Sequence, residues 1–246
     1  MASKYGKVAI CISALPRTGI RANPCFRNFF SHLEADVFYH TWSTDPSQIT
    51  QLADLYSPVR YQAVAPKSAM GSFGSMFYSI MMANEMKKRY ELENNFRYDL
   101  VIKTRFDLVF PAGISFPDVN IFPRSVCSHW GSTGIGHIDT EHTGIGDMLF
   151  WGDSQSMDIV TNTYMYYKHT ALVANAQLIA GHTFDPDDIY FSPGALIQHR
   201  GSRRNIAFER YTGYVGAVPW RDDVSHLDPI TDYDLIRERY VRNEPY

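Results

Sequence analysis

Three charged side chains directly follow one apolar run in the middle of the chain. Lys103, Arg105 and Asp107 occupy alternate positions after the continuous apolar run Leu100–Ile102. Such a run is typical of a strand that is buried on both faces of a sheet, and alternate residues of an extended chain point the same way. Because a buried charge is costly unless it is paired or bound to a metal, the cluster predicts a site at the end of this strand. A lysine, an arginine and an aspartate can together hold a phosphate group and a divalent metal.

The elements before this cluster alternate between strand and helix. Apolar, β-branched runs predict strands at Val8–Ser13, Ala35–Trp42 and Val59–Val64, and a helix is expected over Phe26–Leu33. A long helix with one polar face is predicted over Ser72–Asn94. This order indicates a parallel sheet with helices on its faces. Since ligands of open α/β sheets bind beyond the carboxyl ends of the strands, the charged cluster lies where a ligand is expected.

The second half of the chain shows weaker patterns. A short strand is expected within Ile121–Ser128 and another over Asp147–Trp151. A helix capped near Asp153 should run to about His169, and Asn205–Tyr211 predicts a final strand.

A glycine-rich segment at 131–146 precedes the strand at Asp147. It contains five glycines and two histidines, so it is too polar for a core element and predicts a loop that carries function or closes a site. No GK[ST] sequence follows it, and no strand–turn–helix frame surrounds its glycines. Neither a Walker loop nor a dinucleotide fingerprint is therefore indicated.

Composition limits the possible classes of protein. The 246 residues are 45% hydrophobic, which predicts a single domain over 1–246, with 220–246 as a C-terminal extension packed on it. The 23 basic and 26 acidic residues leave a net charge of −3, so no nucleic-acid partner is expected. Three widely spaced cysteines fit a reducing compartment rather than a disulfide scaffold. With no signal-peptide pattern and no apolar window of about 20 residues, we expect a soluble, cytoplasmic protein without a transmembrane segment; no pattern sets an oligomeric state.

Four segments, in order, carry a resemblance to a known family. They are CISALPRT at 11–18, ADVFYHTW at 35–42, YDLVIKTRFDLVF at 98–110 and GDMLFWGDSQSMD at 146–158. Over most of residues 7–210 the chain resembles bacterial and viral glycosyltransferase-like proteins of the GT-A fold. The resemblance implies an α/β, GT-A-like Rossmann-type domain with a central, mostly parallel sheet flanked by helices. It also implies transfer of a sugar from a nucleotide-sugar donor, UDP- or GDP-linked, to a carbohydrate acceptor.

The same resemblance implies roles for single residues. Arg17, after the first strand, matches an arginine that contacts the nucleotide. The triplet Arg105–Phe106–Asp107 stands where a DxD motif usually holds Mn²⁺ or Mg²⁺ against the diphosphate, and its first aspartate is replaced by arginine. Asp107 can still bind a metal together with phosphate oxygens and waters, or Arg105 can take over part of the metal's role. Lys103 is expected to join them in binding the donor.

Further candidates come from later in the chain. His199 and His226 are candidates to complete a metal shell. Asp147, Asp187 and Asp188 are candidates for the base that accepts the proton of the acceptor hydroxyl. An inverting reaction needs such a base and a retaining reaction does not need it in the same place, and the sequence leaves both open.

Two other classes of function remain alternatives. The replaced aspartate favours a catalytically inactive module of the same fold that binds a nucleotide sugar or a carbohydrate. A nucleotidyltransferase or sulfotransferase on a different α/β sheet is the other alternative, because fold alone does not define a reaction. The segment Leu15–Gly19 bears only a faint likeness to a phosphosulfate loop, since it has no lysine.

Overall fold

The protein is built on a seven-stranded sheet with helices on both faces. The computed structural model describes residues 4–66, 71–129, 148–165, 167–168, 204–211, 218–219 and 227–242. The strands of the main sheet are β1 Val8–Ala14, β2 Ala35–Trp42, β3 Arg60–Val64, β4 Leu100–Thr104, β6 Ser125–His129, β7 Phe150–Gly152 and β8 Ala207–Tyr211. A two-stranded sheet pairs β5 Leu108–Val109 with β9 Val218–Pro219. The helices are α1 Gly19–Phe30, α2 Pro46–Tyr56, α3 Gly71–Asn94, α4 Ser154–Thr161 and α5 Tyr233–Arg242.

The main sheet has the strand order β3-β2-β1-β4-β7-β6-β8. Strands β3, β2, β1 and β4 run parallel to one another, and β6 and β8 are parallel as well. Strand β7 is antiparallel to both of its neighbours, β4 and β6. The expected α/β class with a mostly parallel central sheet is therefore confirmed, with one reversed strand.

The two faces of the sheet carry separate cores. On one face, Ile10, Ile12 and Ile102 pack with side chains of α1, α2 and α5. On the other face, Cys11 and Val101 pack with side chains of α3 and α4. Because successive side chains of a strand point to opposite faces, these memberships assign each residue of β1 and β4 to one of the two cores.

Several helix boundaries differ from the sequence prediction. Helix α1 begins at Gly19, well before the expected start at Phe26, and it contains Pro24. A proline in a helix interior removes a hydrogen bond, but Phe26, Phe29 and Phe30 are buried in the core and hold the helix on the sheet. Helix α4 is capped by Asp153, as expected, and ends at Thr161. After a turn at Asn162, residues 163–165 and 167–168 are again helical, so the expected helix to about residue 169 is interrupted.

The C-terminal helix α5 packs on the same face as α1. Tyr233 and Ile236 are buried in that core, and the Cys25 thiol donates to the carbonyl of Pro229 at 3.4 Å. In the described part of the chain, no helix combines the length and the apolar character needed to cross a membrane.

Candidate functional site at the carboxyl edge of β1 and β4

The candidate site lies where the sheet changes its direction of growth. From β1 the chain passes through α1 to β2 on one side, and after β3 it crosses through α3 to β4 on the other side of β1. Strands β1 and β4 are parallel neighbours, with Ile12 opposite Thr104. The loops after these two strands therefore diverge around a crevice at the carboxyl edge, which is the usual place for a ligand in an open α/β sheet.

Phe106 anchors the loop after β4 to the loop after β1. Its ring is 1% exposed and packs edge-on against Tyr39 and Tyr56, with centroids 5.2 and 5.0 Å away. A Cβ on Gly19 would come within 2.9 Å of the Phe106 Cβ, so this contact needs a glycine at the start of α1. The Tyr56 hydroxyl donates to the Gly19 carbonyl at 2.8 Å. The residues that flank Phe106 and Gly19 are thereby held next to each other.

Asp107 and Arg105 form a two-point ion pair beside this anchor. The Arg105 Nε donates to Asp107 Oδ1 at 2.8 Å, and Nη2 donates to Oδ2 at 2.7 Å. The Asp107 side chain is 1% exposed and that of Arg105 is 23% exposed. Two parallel bonds of this kind fix a guanidinium in one plane. Asp107 therefore sets the orientation of Arg105.

Arg17 reaches the same carboxylate from the loop after β1. Its Nη1 lies 3.9 Å from Asp107 Oδ2, and its side chain is 39% exposed. Arg17 has a φ of 22°, in the left-handed region, so the tight turn between β1 and α1 directs it. Arg17, Arg105 and Asp107, which the sequence analysis placed in one site, lie together in the structure.

Lys103 lies in the strand itself, on the face covered by α3 and α4. The expected alternation of Lys103, Arg105 and Asp107 ends at Thr104, because the chain leaves β4 there and turns at 106–107. The Lys103 side chain is 1% exposed, and its ammonium group lies 5.5 Å from the centroid of the Phe150 ring. It lies on the face of the sheet opposite to the core that contains Phe106, and its role in binding a donor stays a prediction.

The donor set around Asp107 does not suit a divalent cation. Both carboxylate oxygens accept hydrogen bonds from Arg105, so a guanidinium stands where a metal would bind, and Arg17 adds a second positive charge. Within the described ranges no three His, Cys, Asp or Glu side chains gather as a metal site. The Mn²⁺ or Mg²⁺ inferred from the family resemblance stays a prediction, since its other candidate ligands, His199 and His226, lie outside the described residues.

The predicted acceptor-side residues are likewise not described. Asp147, Asp187 and Asp188 lie outside the described residues, as does the glycine-rich segment 131–146. Their role as candidate bases stays a prediction.

A second polar feature at this edge was not predicted from the sequence. His40 and Ser13 are opposite each other in the register of β2 and β1, and they are 0% and 3% exposed. Among the described residues, neither His40 Nε2 nor Ser13 Oγ has a hydrogen-bond partner. A serine and a histidine near the carboxyl ends of largely apolar strands were the signal available in the sequence.

Burial keeps His40 neutral. It lowers the pKa of His40 to about 4, because a low-dielectric surrounding disfavours the charged form. The ring packs edge-on against Trp42 and Tyr78, with centroids 5.0 and 5.5 Å away. These aromatic side chains thus separate the imidazole from solvent on the α3 side of the sheet.

Comparisons with known proteins give a structural likeness only. No known protein family matches the sequence, and no curated protein does. Among solved structures, the glycosyltransferase GlyE of Streptococcus pneumoniae TIGR4 is similar with a TM-score of 0.42 and 7% identity, over 83% of this chain and 45% of that one. The apo form of GlyE gives a TM-score of 0.39 and 8% identity, over 82% of this chain and 44% of that one. The chain thus spans less than half the length of these structures, and the function proposed for it rests on its own residues.

Proposed function

We propose that this protein binds a nucleotide-sugar donor at the crevice between β1 and β4 and transfers the sugar to a carbohydrate acceptor. The observation that carries the proposal is the convergence of Arg17 and Arg105 on one edge of the sheet, with Asp107 orienting the second arginine. The resemblance of four sequence segments to glycosyltransferase-like proteins supports the choice of substrate.

The charge of the crevice fits a diphosphate. Arg17, Lys103 and Arg105 supply three positive charges against the one negative charge of Asp107, a net of two. Arginine recognises phosphate oxygens through its planar set of donors. Helix α1 begins at Gly19, two residues after Arg17, and the partial positive charge of a helix N-terminus adds to the attraction for an anion.

Sugar transfer breaks the bond between the sugar and the terminal phosphate, and it leaves one further negative charge on the departing nucleoside diphosphate. Arginine groups that are fixed before the reaction stabilise that charge without reorganising. Arg105 is held in this way by Asp107, and Arg17 lies within reach of the same carboxylate. In this scheme Asp107 is a positioning residue, and the chain achieves through guanidinium groups what a DxD motif achieves through a metal.

The acceptor hydroxyl must lose a proton during transfer. In an inverting reaction one carboxylate accepts it, and we propose Asp147, Asp187 or Asp188 for this role. In a retaining reaction the departing diphosphate can take the proton instead. The cationic crevice would then have to bind both the diphosphate and the acceptor hydroxyl.

A nucleotide-binding panel tests the proposal. UDP, GDP, CMP and their common sugar conjugates are added to the purified protein, each with and without Mn²⁺, and the unfolding temperature is recorded. A ligand that binds the native state raises the unfolding temperature, and the rise grows with the ratio of ligand concentration to Kd. We expect a rise with one nucleotide family that Mn²⁺ does not increase, because Arg105 occupies the oxygens of Asp107. A rise that requires Mn²⁺ would contradict the guanidinium scheme, and no rise with any nucleotide would contradict the proposed function.

A matched pair of arginine variants locates the binding site. Arg105→Met should weaken binding of the responding nucleotide about 10- to 100-fold, since a hydrogen bond to a charged group is worth about 1.5–3 kcal/mol. Arg60→Met is the control, because Arg60 also makes a two-point contact with a carboxylate, that of Glu93, but lies at the start of β3 and the opposite edge of the sheet. Equal losses in both variants would mean that the effect on binding is general rather than local.

The alternative is a module of the same fold that binds the donor without turning it over. The engagement of Asp107 by Arg105 favours it, because no carboxylate of the triplet is then free for a metal. Release of nucleoside diphosphate from the bound donor in the presence of glycan acceptors separates the two. Binding without release would support the module and contradict transfer.

A further inference from the structure

The hydrogen bonds of His40 determine which of its ring nitrogens carries the proton. The Ser79 hydroxyl donates its hydrogen to the His40 carbonyl at 3.0 Å. The same Ser79 oxygen lies 2.9 Å from His40 Nδ1, and with its hydrogen already used it must accept there. Nδ1 therefore carries the proton, and Nε2 presents a lone pair.

A lone pair on Nε2 selects the chemistry of its partner. The imidazole is neutral, because burial lowers the pKa of His40 to about 4, so Nε2 accepts hydrogen bonds and does not donate them. Ionised phosphate and carboxylate oxygens have no hydrogen to offer. The partner that completes this buried acceptor is therefore a hydrogen-bond donor, such as a hydroxyl group, and not an ionised phosphate or carboxylate.

Ser13 places a second group beside this acceptor. Ser13 and His40 are register partners on neighbouring parallel strands, and both lie on the face covered by α3, since Cys11 and Phe38, two residues earlier on the same strands, pack in that core. Opposite side chains of paired strands lie about 5 Å apart at Cβ. A serine hydroxyl both donates and accepts, so the pair matches two neighbouring hydroxyls on one ring.

We propose that His40 and Ser13 form a subsite for a hydroxyl-bearing ring, either the ribose or the transferred sugar of the donor. Leaving a buried polar atom without a partner is costly, and here two such atoms lie side by side at the edge where a ligand is expected. The subsite rests on the proposed function and extends it. Lys103 is opposite Cys11 in the register of β1 and β4, so it lies on the same face as the pair, two residues before the level of Ser13.

Aromatic side chains shape the entrance to the subsite. The Tyr78 ring packs edge-on against His40 and is only partly buried, and it also contacts Trp42 at 5.5 Å and Tyr164 at 5.2 Å. Tyr78 is therefore the partly exposed neighbour of His40 on this side of the sheet. A sugar ring that enters there would lie against aromatic faces, which offer its C–H groups an apolar surface.

Two substitutions at one position separate the binding role of His40 from its structural role. His40→Asn keeps a polar group where Nδ1 meets Ser79 and removes Nε2, whereas His40→Gln places an amide oxygen near the position of Nε2. The probes are inorganic pyrophosphate, UDP, UDP-glucose, GDP and GDP-mannose, each titrated calorimetrically. Urea unfolding of each variant verifies that it is folded, and Ser13→Ala is the second, milder variant.

We expect His40→Asn and Ser13→Ala each to weaken the responding nucleotide sugar about tenfold, with pyrophosphate unchanged and His40→Gln partly restored. If the nucleotide and its sugar conjugate lose affinity equally, the ring bound by His40 and Ser13 is the ribose. If only the conjugate loses affinity, the ring is the transferred sugar. Wild-type affinity for every probe in both variants would overturn the subsite and leave the proposed function standing.

The failure of the proposed function has a different signature. If the wild-type protein binds none of the nucleotides but binds free glucose or uridine in a His40-dependent way, the subsite stands and nucleotide-sugar transfer does not. If it binds none of the probes, including free glucose and uridine, both are overturned.

Discussion

The substitution Asp107→Asn tests whether the ion pair at the crevice is a structural device. The carboxylate is 1% exposed and accepts two hydrogen bonds from Arg105, at 2.8 and 2.7 Å. An asparagine has nearly the same shape and keeps one acceptor oxygen. It replaces the other oxygen with an NH2 group, a donor that faces an N–H donor of Arg105. The loss is then one charge-assisted hydrogen bond, worth about 1.5–3 kcal/mol. The contribution of Arg17 at 3.9 Å is small, because that side chain is 39% exposed and screened by solvent.

We therefore expect Asp107→Asn to lower the free energy of unfolding by about 2–3 kcal/mol. Removal of one partner from a fully buried pair costs about 3–5 kcal/mol, and this pair falls below that range because the side chain of Arg105 is 23% exposed and can recruit water. In urea, with a slope of about 2–3 kcal/mol per M, the midpoint should fall by about 1 M. Asp118→Asn is the control, since its carboxylate bonds Lys4 at the exposed surface, and its midpoint should not change.

A double-mutant cycle gives the sharper measurement. Asp107→Asn, Arg105→Gln and the double variant should show a coupling free energy of about 2 kcal/mol, because each single change removes the same contact. The reasoning is refuted if Asp107→Asn unfolds within about 0.5 kcal/mol of the wild type, or if the two single changes are simply additive.

Two further predictions concern the buried side chains of Lys87, which belongs to α3, and of His40, which α3 covers. Lys87 is 0% exposed and lies 2.8 Å from Asp158 and 3.2 Å from Glu91. Lys87→Met leaves these carboxylates with the largely exposed Arg97 as their remaining cation, and it should cost about 3 kcal/mol in urea unfolding. A cost below about 1 kcal/mol would show that other groups satisfy both carboxylates. Burial lowers the pKa of His40 to about 4, below its value in the unfolded chain. The neutral imidazole therefore makes its full contribution to the free energy of unfolding above about pH 6.5, and this contribution is lost as the pH falls toward 4. Between pH 8 and 5 this loss is about 2 kcal/mol, and it should be absent in His40→Asn. If the free energies of unfolding of the two proteins change in parallel with pH, the prediction is contradicted.

The sequence predicted those features that depend on neighbours along the chain. Strands β1 and β2 are runs of apolar residues, and their bounds agree with prediction almost to the residue. The proximity of Arg105 to Asp107 also follows from local spacing. Once the strand was identified, the rule that ligands bind at carboxyl ends located the candidate site.

Features that depend on contacts between distant segments were not predictable in this way. The insertion of the antiparallel strand β7 between β4 and β6 has no local pattern in so short a segment. The contact between His40 and Ser79 depends on where α3 crosses the sheet. Phe106 looks like any other core aromatic in the sequence, and only the absence of a side chain at Gly19 makes it an anchor.

The arrangement of the sheet has a consequence for the nascent protein. Strands β1 to β4 pair within the first 104 residues, whereas β6 must meet β8 through the pairing of Ser125 with Ala207. Pairings across such long stretches of chain form slowly. Because β7 is the next neighbour of β4, β4 is the outer strand of a partial sheet until β7 has been synthesised. Its apolar run Leu100–Ile102 is then an open edge, the kind of surface on which proteins aggregate. A lysine within an edge strand disfavours pairing with a foreign strand, so we expect Lys103 to limit aggregation of the growing chain while β4 is still an open edge.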